Sequence, residues 1–237
     1  RRIRLDRELV RRGLARSREQ AAELISAGRV SVGGVPAAKA ATMVDATASI
    51  VVAAGDDPGY ASRGAYKLLG ALEAFGVPAP DREQAPDQPS SGGPPLTVAG
   101  RRCLDVGAST GGFTDVLLRY GAAEVIAVDV GYGQLLWRLR SDPRVRVLDR
   151  TNARHLTPQQ VGEPVDLVVG DLSFISLTLV LPALRACAAP DADFVLLVKP
   201  QFEVGREALE TGGSGGVVRD PALHVQAVLD VAAAAAR

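Results

Sequence analysis

One stretch restricts the fold more than any other: Leu104-Asp105-Val106-Gly107-Ala108-Ser109-Thr110-Gly111-Gly112-Phe113. It reads as a buried strand, a glycine turn and a helix running through Thr114–Leu118 to Gly121. Glycine lets a backbone approach a ligand closely. A helix start adds unpaired N–H groups and a positive dipole end, both suited to an anion. A second apolar run, Val125-Ile126-Ala127-Val128, ends at Asp129. That puts a carboxylate at a strand end about 20 residues on, where a doubly wound fold binds a ribose hydroxyl pair. From Arg101 onward strand and helix patterns alternate. Strands are expected at 102–107, 124–130, 145–150, 165–171 and 193–199, and helices near 112–119, 133–140, 157–161, 176–188 and 221–236. Continuous apolar strands are what a parallel sheet covered on both faces requires, so the fold class is α/β and Rossmann-like.

The turn is not the dinucleotide fingerprint, because Ser109 stands where the second glycine of G-x-G-x-x-G approaches a pyrophosphate. A ligand with an amino-acid end and one nucleoside, such as S-adenosylmethionine, fits better. From the loop alone, another nucleotide or a tight turn without ligand stays open.

Composition narrows the setting. The longest apolar runs fall short of the ~18 residues that span a bilayer, and no signal segment opens the chain, which points to the cytoplasm. Cys103 and Cys187 sit in apolar surroundings and read as reduced core residues. Two histidines and two cysteines are scattered without metal-ligand spacing, so no metal is expected. The net charge of zero conceals an asymmetry: residues 1–52 hold ten Lys/Arg against five Asp/Glu (+5), leaving seventeen against twenty-two (−5) for the remainder. A basic front end suggests nucleic-acid binding or a solvated helical surface.

Within that front end, a helix over 5–12 turns Leu5, Leu9 and Val10 inward and stops at Gly13. Ser17 opens a second helix, with Gln20 completing a capping box, Ala21, Ala22, Leu24 and Ile25 as its apolar face, and Gly28 as its end. Val30 and Val32 alternate as a strand, Gly33-Gly34 turns, and Ile50–Val52 returns. Arg4, Arg7, Arg11, Arg12, Arg16 and Arg18 surround the helices and are candidate RNA contacts, since arginine pairs with phosphate and stacks on unpaired bases. The pattern from Arg4-Leu5-Asp6 through Gly13-Leu14-Ala15, Ser17-Arg18, Ala21, Leu24-Ile25, Gly28, Val30, Val32 and Gly34 resembles the small α+β αL RNA-binding domain of a ribosomal protein, pseudouridine synthases and some rRNA methyltransferases. The expected division is therefore 1–52 as this domain, 53–60 as a linker and 61–237 as the α/β domain. Ser62 is expected to cap a helix reaching Phe75, with Leu68, Leu69, Leu72 and Phe75 inward. Pro78–Pro95 reads as a surface insertion and Thr211–Gly216 as a glycine-rich loop.

The chain has three lysines against twenty-four arginines. A retained lysine calls for something arginine cannot do, and that is to lose its proton. Lys199 and Asp171 each end a strand, where open α/β sheets place their sites, and Lys67 precedes the sheet. The arrangement suggests methyl transfer to a hydroxyl, with Lys199 as base, brought from ~10.4 toward ~7–8 by a sulfonium and Lys67, and Asp171 orienting it.

Lys67, Asp105–Phe113, Asp129–Leu135, Asp171–Ser176 and Lys199–Glu203 resemble the FtsJ-type ribose methyltransferases, and joined to the αL domain they resemble the TlyA family over nearly the whole chain. The resemblance implies S-adenosylmethionine-dependent 2′-O-methylation of ribosomal RNA, free or in ribosomal subunits, with cytidine as target. It implies cofactor contacts at Asp105, Gly107, Ala108, Ser109, Gly111, Gly112, Phe113, Asp129, Val130, Thr151, Asn152 and Asp171. Three members of that family's Lys-Asp-Lys-Glu tetrad map onto Lys67, Asp171 and Lys199. The Glu belongs after a later strand, and Glu203, Glu207 and Glu210 lie in the wrong place. The chain is accordingly expected to continue past Arg237 with two more strands. The family also carries an old haemolysin label, but no spanning or amphipathic membrane segment is legible. An oxidoreductase and a non-catalytic ribosome-assembly factor are the remaining rivals; the first fails at Ser109, and the second would tolerate loss of Lys67 and Lys199.

Overall fold

The computed structural model describes residues 2–53, 59–80, 96–205 and 218–236. The chain divides into two compact units, Arg1–Gly59 and Tyr60–Arg237.

The first unit runs β1 (Arg2–Arg4), α1 (Leu5–Arg11), α2 (Arg18–Ser26), β2 (Val30–Val32), β3 (Val35–Pro36), β4 (Met43–Asp45) and β5 (Ile50–Val52). Leu5, Leu9, Ala21, Leu24 and Ile25 close the helices over Val30 and Val44. Ser17 Oγ caps α2 by accepting from the Gln20 N–H at 3.2 Å. The capping box is only half made: Gln20 Oε1 accepts from the Arg16 N–H (2.7 Å), one residue before the cap. Gly28 ends the second helix in the left-handed region (φ 69°), which a side chain would resist. β2 pairs antiparallel with β3 across Gly33-Gly34 and with β5 on its other edge. A further two-stranded sheet, β1 with β4, was not legible in the sequence. Its strands are three residues long, too short to show alternation.

In the second unit, α3 (Ala65–Ala74) precedes the sheet. No side chain caps α3, whose first turn is closed by the Ala65 N–H on Ser62 O, so Ser62 is not its cap. Leu68 and Leu72 are buried as expected, whereas Phe75 is 55% exposed. Phe75 follows the last helical residue, where the backbone leaves the register that turned Leu68 and Leu72 inward. There follow β6 (Arg102–Val106), α4 (Gly112–Arg119), β7 (Glu124–Val128), α5 (Trp137–Arg140), β8 (Val145–Leu148), α6 (Pro158–Val161), β9 (Val165–Gly170), α7 (Leu177–Cys187), β10 (Ala188–Leu196), α8 (Pro200–Glu203) and α9 (Pro221–Ala235). All five expected strands form one parallel sheet in the order β10-β9-β6-β7-β8.

Two boundaries moved. β10 begins at Ala188, directly after α7, and absorbs the early residues with a register shift before Asp193. α5 is one turn long because 131–136 forms a loop and Leu136 enters the helix extended. Alternate residues of each strand feed two cores. Cys103, Val125, Ala127, Leu167 and Val169 pack with Leu68, Leu72, Val116 and Leu117. Leu104, Val106, Ile126, Val128 and Val168 pack with Val161, Val180 and Leu184 on the other face. Each fully buried Leu or Val contributes ~1.5–3 kcal/mol relative to exposure. Both cysteines are buried and unpaired. Because strand order reverses between β6 and β9, the loops leaving β6, β7, β9 and β10 converge at the carboxyl ends of the strands, where such sheets bind ligands. The expected insertion falls largely on 81–95, and the glycine-rich loop, Glu207 and Glu210 on 206–217; these lie outside the described residues.

Candidate functional site

Three charged side chains meet at that edge. Lys67 from α3 brings Nζ 2.7 Å from Asp171 Oδ2. Lys199, at the end of the strand-to-α8 connection, brings Nζ 2.7 Å from Asp171 Oδ1. This second contact is an ion pair without hydrogen-bond alignment, so Oδ1 has no hydrogen-bond partner among the described residues. Lys199 Nζ instead donates to Ser173 Oγ at 2.7 Å. Burial pushes the Asp171 carboxyl up, but the two ammonium groups prevail and hold it below the ordinary carboxylate range. Asp171 is therefore a shared counter-ion, leaving the cluster one net positive charge. Lys199 is the more enclosed cation, its side chain 17% exposed against 48% for Lys67.

Beside the cluster, Phe174 is 90% exposed and holds φ at 65°, a conformation that costs a non-glycine residue ~1 kcal/mol or more. Its ring rests on Phe202, centroids 5.2 Å apart. Exposed Tyr132 carries the Arg150 guanidinium 4.5 Å above its ring. None of these aromatic contacts, nor Ser173, follows from the spacing of the sequence.

The glycine turn does two different jobs. Gly107 has φ 82°, and a Cβ there would lie 3.1 Å from the Asp171 carbonyl oxygen, so glycine lets the β6 and β9 loops touch. Gly111 and Gly112 are required by packing instead. A Cβ on the first would meet Leu139 and Leu135 at 2.3 and 2.7 Å, and on the second Ser62 Oγ and the Ala65 nitrogen at 2.5 and 2.9 Å. With Ala108 and the Phe113 ring they face protein, so a ligand reaches them through backbone alone.

Ser109 and Thr110 are exposed, with Ser109 at φ 48°. The Ser109 N–H donates to Asp129 Oδ2 (2.8 Å) and the Gly131 N–H to Oδ1 (2.7 Å), which fixes that carboxylate at the end of β7 with lone pairs to spare. Asp105 is fully buried; its Oδ2 accepts from Thr114 Oγ1 (2.6 Å) and its Oδ1 has no hydrogen-bond partner among the described residues. Burial pushes its carboxyl up to about 7, against the pull of Thr114. Val130 is exposed; the Thr151 N–H donates to the Asp129 carbonyl (2.9 Å). Asn152 Oδ1 is taken up by the Arg154 N–H, capping a short helical turn at Ala153–His155.

The arginines of the first unit are not the free fringe expected. Asp6 and Glu8 are buried, and four of the six arginines serve them. Arg4 and Arg18 reach Asp6 Oδ2 at 2.9 Å each. Arg11 and Arg12 reach Glu8 Oε1 at 2.6 and 2.7 Å, and Arg12 also donates to the Ala48 and Ala46 carbonyls. Arg16 bonds Gln20. Arg7 is exposed and its guanidinium makes no ion pair among the described residues. The i,i+3 and i,i+4 spacing of Glu8 to Arg11 and Arg12 was the available signal.

A division of labour follows. Arg7→Ala should weaken RNA binding evenly across sequences and reduce the salt slope by about 1. Arg12→Ala should lower the melting temperature of the first unit, because Glu8 loses one of its two cations. Salt titrations of RNA binding and thermal melts separate the two; equal effects from both variants would contradict the assignment. Hydrogen bonding from Arg4 and Arg11, respectively, holds Asp6 and Glu8 well below their ordinary values, Glu8 at about 2. The stability they contribute is present above about pH 4, the unfolded value, and is lost as pH falls through their folded values. The protection factors of the α1 amides, the observed rates corrected for intrinsic exchange, should fall over pH 4 to 2, and a fall absent from Asp6→Asn/Glu8→Gln would identify the groups.

Among the described residues no group of three His, Cys, Asp or Glu side chains could hold a metal ion, and no helix is long and apolar enough to cross a membrane.

Comparison with known proteins places these features in context. The FtsJ-like methyltransferase family matches residues 60–237, and the S4 domain family matches residues 3–50. The chain is 60% identical over 98% of its length to a Mycobacterium tuberculosis protein, 16S/23S rRNA (cytidine-2′-O)-methyltransferase TlyA, covering 78% of that protein. It is 43% identical to Bacillus subtilis YqxC, covering 93% of this chain and 71% of the relative. A solved structure described as "Putative hemolysin from Streptococcus thermophilus" shares 37% identity with a TM-score of 0.67, covering 99% of this chain and 78% of that one.

Proposed function

The chain belongs to the FtsJ-like methyltransferase family and carries an S4 domain ahead of it, and on that premise we propose that it transfers a methyl group from S-adenosylmethionine to the 2′-hydroxyl of a cytidine in ribosomal RNA. The observation that carries this reading is the Asp171 carboxylate held between the Lys67 and Lys199 ammonium groups at the carboxyl edge of the sheet.

The residues present fit the cofactor. Asp129 keeps acceptor capacity for ribose hydroxyls. Buried Asp105 offers an oxygen without a hydrogen-bond partner near Gly107. The exposed Ser109-Thr110 backbone lines the turn. When bound, S-adenosylmethionine supplies a methyl carbon made electrophilic by its sulfonium.

The chain's own residues prepare the nucleophile. A ribose hydroxyl attacks only as its proton departs, and Lys199 Nζ, having first released one of its own protons to solvent, accepts that proton. Asp171 holds the lysine in place and stabilises the ammonium that forms. Lys67, on the other carboxylate oxygen, shares Asp171 as counter-ion and fixes its orientation. The S4 domain holds the RNA, with the exposed Arg7 of α1 as its phosphate contact, and the setting is the cytoplasm.

Transfer of labelled methyl from S-adenosylmethionine to separated ribosomal subunits tests the reading. Label should enter RNA in one subunit or both. Binding of S-adenosylmethionine without any transfer would leave a non-catalytic RNA-binding factor instead.

A further inference from the structure

We propose that Glu203 is a positioning residue for the transfer step, an inference that rests on the reading of Lys199 as the base. Contacts along one line join segment 173–176, after β9, to segment 199–203, after β10. Lys199 Nζ donates to Ser173 Oγ at 2.7 Å. The Phe174 ring lies on Phe202. Ser176 Oγ donates to Glu203 Oε2 at 2.6 Å, and the Leu177 N–H donates to Oε1 at 2.9 Å. Glu203 thus closes the far end of a zipper whose near end is the reacting lysine.

The strain in the loop explains why the far end matters. Phe174 holds φ at 65° while almost fully exposed. Such a conformation persists only where its neighbours over-determine it. On its two sides stand Ser173, held by Lys199, and, two residues on, Ser176, held by Glu203 and by Thr178 of its own helix. Without the carboxylate, the Leu177 N–H loses its acceptor and Ser176 Oγ keeps only Thr178 of its own helix, so nothing ties this end of the loop to segment 199–203 and the loop can relax at Phe174. Ser173 then moves off Lys199 Nζ. The ion pair to Asp171 survives such a shift and keeps Nζ beside the carboxylate, but without hydrogen-bond alignment it leaves the direction of the amine to Ser173.

The competing account gives Glu203 a purely structural role, as a carboxylate capping the N-terminus of α7. A coupling measurement separates the two. Single-turnover transfer from S-adenosylmethionine to ribosomal subunits, and S-adenosylmethionine affinity by calorimetry, are measured on the whole protein carrying Glu203→Ala, Ser173→Ala and both. Glu203→Ala should slow transfer by about ten- to a hundredfold with cofactor affinity within about twofold of wild type. In the Ser173→Ala background the same change should cost less than about threefold, because the link it acts through is already gone. Glu203→Gln, whose amide oxygen can accept one of the two bonds, should fall between wild type and Glu203→Ala.

A Glu203→Ala rate within about twofold of wild type would overturn the proposal, as would a loss undiminished by Ser173→Ala. Should Glu203→Ala fail to fold, Glu203→Gln and Ser176→Ala enter the same cycle, and additivity with Ser173→Ala is again the contradicting result. Transfer surviving in Lys199→Arg would instead refute the base assignment. An inactive Lys199→Arg beside additive Glu203 and Ser173 effects would refute only the role of Glu203.

Discussion

Lys199→Arg should leave the fold and S-adenosylmethionine affinity within about twofold of wild type and slow single-turnover methyl transfer by at least about a thousandfold. Arginine keeps the charge, so the ion pair with Asp171 can be remade and the fold has no reason to change. A guanidinium, however, stays protonated at any working pH and cannot take the hydroxyl proton. The chain's near-exclusive use of arginine elsewhere makes this substitution a clean one: whatever Lys199 does beyond carrying charge is what the variant lacks. A rate within a few-fold of wild type, measured with enzyme in excess over subunits, would remove Lys199 as base.

Asp171→Asn should be nearly as damaging, by a different route. The amide preserves shape but not charge, so the Lys67 and Lys199 ammonium groups, each 2.7 Å from one carboxylate oxygen, lose their common counter-ion. Lys67, half exposed, can swing into solvent; Lys199 cannot do so as readily. Transfer should fall by about a hundredfold or more as Lys199 loses its hold. The same substitution carries a stability signature. The folded-state carboxyl lies below its unfolded value, so the stabilisation is fully present above about pH 4 and is lost as pH falls through the folded value. Wild type and Asp171→Asn should therefore differ in melting temperature at pH 7 and converge in acid. A difference that persists undiminished at low pH would show that the carboxylate charge is not what stabilises the site.

The long elements were legible because single periodicities dominate them. The apolar runs ending at Val106, Val128 and Gly170 could be little else than buried parallel strands, and the carboxyl ends of those strands located Asp129 and Asp171. The features that escaped are set by contacts between distant segments. Ser173 and Ser176 look like ordinary loop serines until β10 brings Lys199 and Glu203 beside them, 26 and 27 residues on. Glu203 lies away from the fourth tetrad position, and its carboxylate is bonded to Ser176 and Leu177 instead. Glycine near a helix start suggests a ligand at Gly111 and Gly112, and nothing in the sequence shows that Leu135, Leu139 and the turn at Ser62 occupy the space a side chain there would need. In the first unit, a count of positive charge missed that Asp6 and Glu8 are buried and occupy four arginines.

The proposed role of the Lys67–Asp171–Lys199 cluster is methylation of a ribose oxygen and not of a base. Nucleoside analysis of RNA recovered after reaction of ribosomal subunits with labelled S-adenosylmethionine tests it most directly. Label is expected in 2′-O-methylcytidine with the wild-type protein and not with Lys199→Arg. Label in a base-methylated nucleoside, or 2′-O-methylcytidine formed equally well by Lys199→Arg, would contradict it.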